Sequence, residues 1–279
     1  MTRAAALCAL LLAAPAWAQS APVDDEHACA RVREAGMVDG PVVLGLYDAD
    51  FGTGRRACLR SELALYERFG ATIDVPGFYG GVRADTIVSG SFRLRRHVEI
   101  FGALELVHWE LVQNASIKAT AIGLGQLTLG VQGLLLETRR FALSVYGRIL
   151  IPTATWSPSA QTAGGDIGLG GVFRPRRDVE LHAQLSADVA GGIVAGPGDV
   201  RGGTTIMLGV QYTPARWFAF AVDAAVVLGH RAPLDAFLPE LALRFRLWRG
   251  LNLELDATAP VGGGDRRLAI AALRLSYRF

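Results

Sequence analysis

The chain has 279 residues, 51% hydrophobic, 8% aromatic and 19% charged, with 33 glycines and a net charge of +2; its mean hydropathy is +0.30. No internal stretch offers roughly 18 consecutive apolar residues, which excludes a helical membrane bundle, and the apolar content is too high for a disordered chain. The near-zero charge balance leaves no basic footprint for nucleic acid.

Residues 1–18 read as a secretory signal peptide. Arg3 is the only charge, Ala4 to Ala14 form an apolar run, and Ala16-Trp17-Ala18 is an A-x-A cleavage site before Gln19. Cys8 lies inside the apolar run, so Cys29 and Cys58 remain in the exported chain. There the default is one disulfide between them, worth on the order of 3 kcal/mol by loop-closure entropy. A metal site or catalytic thiol lacks partners, since only His27 stands near. Residues 19–58 form an extension, with Val23 opening a short helix through Arg33 and Pro41 to Tyr47 reading as a short apolar strand. The Asp48-Ala49-Asp50-Phe51-Gly52 spacing hints at calcium, but the twelve-residue pattern would end on Leu59, which is no carboxylate. No metal or cofactor is expected.

From Leu59 onward the chain alternates. Val179, Leu181, Ala183, Leu185, Ala187 and Val189 oppose Glu180, His182, Gln184, Ser186 and Asp188. Period two means strands with one apolar and one polar face. Twelve are predicted: 59–75, 80–95, 97–109, 119–136, 140–151, 165–174, 178–190, 203–213, 216–229, 239–249, 251–258 and 267–279. Many reach the length of about 9–11 residues that a tilted strand needs to cross a bilayer.

Short turns such as Arg95-Arg96-His97 and Trp248-Arg249-Gly250 alternate with longer Gly/Pro/Ser-rich loops. Tight turns on one side, longer loops on the other and an even strand number are the plan of a transmembrane antiparallel up-and-down β-barrel. Both termini then fall on the tight-turn side, the periplasm. A soluble barrel would turn its apolar face inward; against it, the apolar face carries no Lys, Arg, Asp or Glu within the cores of the second to twelfth strands. Aromatics gather near strand ends, with Phe173, Tyr212, Trp217, Trp248 and Phe279 on the turn side and Phe78 and Trp109 on the other, as two interfacial girdles require.

At the C-terminus Leu273, Leu275, Tyr277 and Phe279 alternate to a terminal phenylalanine. This resembles the signature of Gram-negative outer-membrane β-barrel proteins over residues 59–279. The resemblance implies an outer-membrane location among lipid and lipopolysaccharide. It also implies an assembly signal at Tyr277 and Phe279, read by the barrel-assembly machinery. It selects no subfamily, because such barrels include channels, autotransporter pores and lipid-modifying enzymes.

The polar face carries Arg60, Arg68, Arg83, Arg93, Arg95, Arg148, Arg174, Arg244, Arg246, Arg274 and Arg278. Against them stand Glu62, Asp74, Asp85, Glu99, Glu105, Asp166, Glu180, Asp188, Asp223, Glu240, Glu254 and Asp256. The expected pore lining is Arg93, Glu99, Glu105, Arg148, Glu180, His182, Asp188, Asp223, Arg244, Arg246, Glu254, Asp256 and Arg274. A hairpin about Gly250 sets Arg246 opposite Glu254 and Arg244 opposite Asp256, and the turn at Arg96 sets Arg93 opposite Glu99, where opposite charges attract. Rings of charge select solutes; a balanced ladder merely satisfies a polar interior.

Enzyme readings fail on spacing. No histidine stands in a His-x-Ser pair. His182 and Ser186 share a face but lie about 13 Å apart by strand rise. His97 falls in a turn and His108 near the membrane rim. The expectation is therefore a narrow channel for passive passage of small polar solutes, with no catalytic residue. The rivals are a structural barrel with a closed lumen and a lipid-modifying enzyme. A disulfide-clipped segment 19–58 at the barrel mouth would serve as a periplasmic plug or cap.

Overall fold

The computed structural model describes residues 28–29, 57–72, 80–113, 118–155, 162–192, 200–229, 234, 236–259, 261 and 268–279. The strands are β1 (Glu62–Thr72), β2 (Gly80–Arg95), β3 (Val98–Gln113), β4 (Lys118–Gly123), β5 (Leu127–Glu137), β6 (Phe141–Ile151) and β7 (Thr162–Phe173). They continue as β8 (Val179–Gly192), β9 (Arg201–Ala215), β10 (Phe218–Leu228), β11 (Ala236–Trp248), β12 (Leu251–Thr258) and β13 (Leu268–Arg278). All pairings are antiparallel, and β1 pairs with both β2 and β13, which closes the wall. Closure leaves no open edge along that seam, as a wall in lipid demands.

The predicted strand 119–136 is a correction. It is two pieces, β4 on the upper part of β3 and β5 on the lower part, so the wall counts twelve strands with the fourth broken. The break has a local cause. β3 bulges opposite Thr86 and Ile87, which pair with Val107 and Glu105 and leave Leu106 over. At that height residues 124–126 bend onto Glu105: Glu105 N–H donates to the Gln126 carbonyl (3.1 Å) and Gly125 N–H to the Glu105 carbonyl (2.9 Å).

The faces are inverted relative to a protein in water. Glu180, His182, Gln184 and Ser186 on β8 are buried, while Leu181 and Leu185 between them are exposed. The same holds around the wall, where Ile149, Ile167, Leu208 and Leu241 face outward. A continuous apolar band with charges folded inside is stable only when the surroundings are lipid. Trp217 (60% exposed) and Trp248 (69%) project outward at the tight-turn end, Trp217 stacked on Phe245 at 6.5 Å. Among the described residues one charge breaks the outer face: Glu67 on β1, which accepts the Thr86 hydroxyl at 3.0 Å beside the bulge. Phe78 and Asp74 lie outside the described residues.

The β11–β12 register also differs from expectation. Arg244 stands opposite Glu254 and Arg246 opposite Asn252, one pair nearer the turn than predicted, and Asp256 faces Ala242. The cause is the turn itself, a tight Arg249-Gly250 link in which Gly250 takes φ 75°, with an irregularity between Arg246 and Trp248. Left-handed backbone of this kind favours glycine. Arg93 does stand opposite Glu99.

Cys29 and Cys58 form a disulfide. With Ala28 and Ala57 they pack on Ala142 and Val172, on the inner face at the tight-turn end of β6 and β7, and on Leu134 of β5. Ala28 N–H donates to the Thr138 carbonyl (2.8 Å), Cys29 N–H to Glu137 Oε1 (3.1 Å), and Arg174 to the Ala28 carbonyl. Cys58 leads directly into β1, on a different sector of the wall. The signal peptide and the helix, strand and Asp-rich turn expected within 19–56 lie outside the described residues, apart from Ala28 and Cys29.

Candidate functional site: the barrel lumen

Strand alternation turns every second residue inward, so the lumen is a set of rows whose partners follow from register. The longest charge ladder crosses the closing seam. Glu62 on β1 accepts from Arg278 (3.0 Å) and from Arg274, both on β13. Arg274 also donates to Glu254 on β12 (3.0 Å). Glu254 accepts from Arg244 on β11 (2.7 Å), which reaches Gln211 on β9. Arg274 stands over the Tyr66 ring at 5.1 Å. Arg274 and Arg244 each bridge two acceptors, a task suited to a planar fork of donors.

A second network lies nearer the long-loop end. Asp85 on β2 accepts from Arg68 (2.8 Å) and Arg83 (2.7 Å), and His108 Nδ1 lies 2.8 Å from it and 3.1 Å from Glu105. Arg83 also reaches Glu105 at 3.2 Å. Asp85, Glu105 and His108 place one ligand atom each within 4.8 Å of one another, which is metal-like spacing. Two arginines already hold both Asp85 oxygens, so the group reads as an ion-pair network. His108 faces the lumen, 1% exposed, a facing that its expected place near the membrane rim did not specify. Simple alternation from Glu105 puts Val107 inside; the extra residue at Leu106 reverses the phase.

The remaining wall is held by shorter links. Arg148 donates to Asp166 (2.6 Å) and Arg174 to Glu180 (2.6 Å). His182 Nε2 lies 2.5 Å from Asp223 Oδ1, so it turns to β10 and not to Ser186. That link passes directly over Gly209, where any Cβ would collide with both groups. Gln184 likewise reaches across to the Tyr146 hydroxyl at 2.8 Å, over the bare backbone of Gly168. Asp188 stands opposite Asp166, and Arg246 sits at the tight-turn end of β11. Arg93 donates to the Arg95 and Arg96 carbonyls (3.2 and 2.9 Å) at the tight-turn end, and Glu99, fully buried, accepts Arg60 N–H (2.5 Å).

Between β1–β3, β5–β6 and β13 this wall leaves a cavity of about 50 Å³, bordered by Tyr66, Arg68, Ser89, Phe101, Arg148 and Arg274 among others. Tyr277 pairs with Leu63 and Leu251, and Phe279 N–H donates to the Ser61 carbonyl at 3.3 Å.

A closed antiparallel wall of twelve strands, apolar outside and charged inside, is the architecture of the outer-membrane β-barrels. The solved structures it resembles belong to that class. Against the COG4313 outer membrane channel from Pseudomonas putida F1 the TM-score is 0.63 at 11% identity, covering 87% of this chain and 100% of that one. Against the KdgM porin in complex with disordered oligogalacturonate it is 0.55 at 8% identity, covering 78% and 99%. No protein-family profile and no curated protein matches the sequence.

Proposed function

We propose that the chain is a narrow outer-membrane channel for passive diffusion of small polar solutes. The observation that carries this reading is a polar, charge-balanced inner wall, bordering a small cavity, inside a continuous apolar exterior. Twelve strands fall between barrels of about eight, filled by side chains, and those of 16–18 that hold a water channel. Such a lumen discriminates by size and by local charge. The two named neighbours, a channel and a porin, support a transport role by likeness of fold. In this reading the termini are periplasmic, the chain sits among lipid and lipopolysaccharide, and Tyr277 and Phe279 address it to the barrel-assembly machinery. Transport of this kind needs no catalytic residue.

The disulfide unit is the periplasmic stopper of this channel. Ala28, Cys29, Ala57 and Cys58 pack inside the tight-turn mouth, and the bonds from Arg174, Glu137 and Thr138 fasten them there. This same packing favours the second reading, a structural barrel whose lumen stays closed. Swelling of proteoliposomes in a neutral pentose separates them. Swelling that begins or accelerates when a dithiol reductant opens Cys29–Cys58 supports a stoppered channel. Impermeability before and after reduction, with folding verified, supports the closed barrel.

A further inference from the structure

Among the described residues six buried glutamates face the lumen, and five have hydrogen-bond partners. Glu62, Glu105, Glu180 and Glu254 accept from arginine side chains, and Glu99 from the Arg60 amide. The sixth, Glu240 on β11, is 2% exposed, and neither of its carboxylate oxygens has a hydrogen-bond partner. Its directly opposed neighbour on β10 is Asp223, a like-charge pairing that destabilises a sheet. On β12 its opposite is Thr258, whose hydroxyl turns away to the Pro239 carbonyl at 2.9 Å. Asp256 lies one inward position further along β12, opposite Ala242. Of the nearby cations, Arg244 donates from Nε to Glu254 at 2.7 Å and from Nη1 to Gln211, its Nη2 making no hydrogen bond, and His182 Nε2 lies 2.5 Å from Asp223.

A desolvated carboxylate without a partner is costly, and the fold keeps this one beside two more. We propose that Glu240, flanked by Asp223 and Asp256, is a subsite for the ammonium or guanidinium group of a solute entering the lumen. The neighbouring inward residues Ala221, Ala225, Ala242 and Ala272 are small, whereas on the long-loop side Leu238 of β11 packs in an apolar cluster with Met207. Among the described residues only Asp85, Glu105 and His108 converge within 4.8 Å as metal ligands would. The carboxylates around Glu240 are therefore spread for several N–H donors of one organic cation. The inference rests on the channel reading, since the solute reaches Glu240 through the lumen.

The test is thermal unfolding of the full mature chain in detergent micelles, titrated with spermidine and separately with calcium chloride. Spermidine should raise the unfolding midpoint of the wild type by mass action. Glu240→Gln keeps the shape and removes the charge, and should weaken the apparent affinity about tenfold or more. Asp256→Asn, a second variant should the first fold poorly, should weaken it by less. No shift in the wild type, an undiminished shift in both variants, or stabilisation by calcium without spermidine would each overturn the subsite. Binding in micelles needs no conductance, so a silent bilayer would sink the channel reading alone.

Discussion

Arg274 and Gly209 illustrate two ways in which single residues hold this lumen. Arg274 is 2% exposed and joins Glu62 to Glu254 across three strands. Its removal takes one charged partner from each of two buried carboxylates, so Arg274→Ala should destabilise the barrel by about 3 kcal/mol, read from the urea midpoint in micelles. Arg274→Lys should recover only part, because an ammonium lacks the fork that spans both acceptors. Gly209 acts by absence. Gly209→Ala places a methyl in the His182–Asp223 link and should cost about 1–3 kcal/mol. Asp223→Ala should relieve that clash, so the double variant should lose less than the sum of the singles. Additive losses would mean that the link and the glycine are uncoupled. Most lining residues were legible as residue types on the polar face, but their roles depended on phase and register. His108 was hidden by one extra residue at Leu106, whose trace in the sequence is the adjacent apolar pair Leu106-Val107. Glu240 was legible as a lumenal carboxylate; its isolation was not, because that depends on where the Arg244 guanidinium goes.

Strands and turns were read well where alternation is strict and poorly where the wall bends. β8 keeps period two without a break, β10 and β11 depart from it only at their tight-turn ends, and each was placed within about three residues. The fourth strand reads as one run because its apolar residues continue through Leu124, and nothing local reports that Glu105 draws the chain inward there. The β11–β12 hairpin was set two residues off because the width of the Trp248-Arg249-Gly250 turn is a backbone property. The terminal clip is the reverse case. Two cysteines in an exported chain point to a disulfide, and the bond is present, whereas its seat against Ala142 and Val172 has no sequence signature. Replacing both cysteines with serine should lower stability by about 3 kcal/mol in the loop-entropy account, measured by chemical unfolding. Glu137→Ala should leave the disulfide intact while loosening the Cys29 backbone, visible as faster amide exchange at Cys29.

For the molecule as a whole, the inverted distribution of polarity is the organising fact. Buried arginines and glutamates line the inside while leucine, isoleucine and valine cover the outside, and only a lipid solvent makes both favourable. Leu208, at the middle of β9 and 61% exposed, tests this placement. Leu208→Arg should cost about 2–4 kcal/mol for folding in a bilayer and far less in a water-soluble barrel. The central claim, that the lumen is a solute path stoppered at its tight-turn mouth, is tested most directly by single-channel recording of the full mature chain. The expected result is small discrete steps whose frequency or size grows when Cys29–Cys58 is reduced. Silence in both redox states from a barrel verified as folded would contradict it.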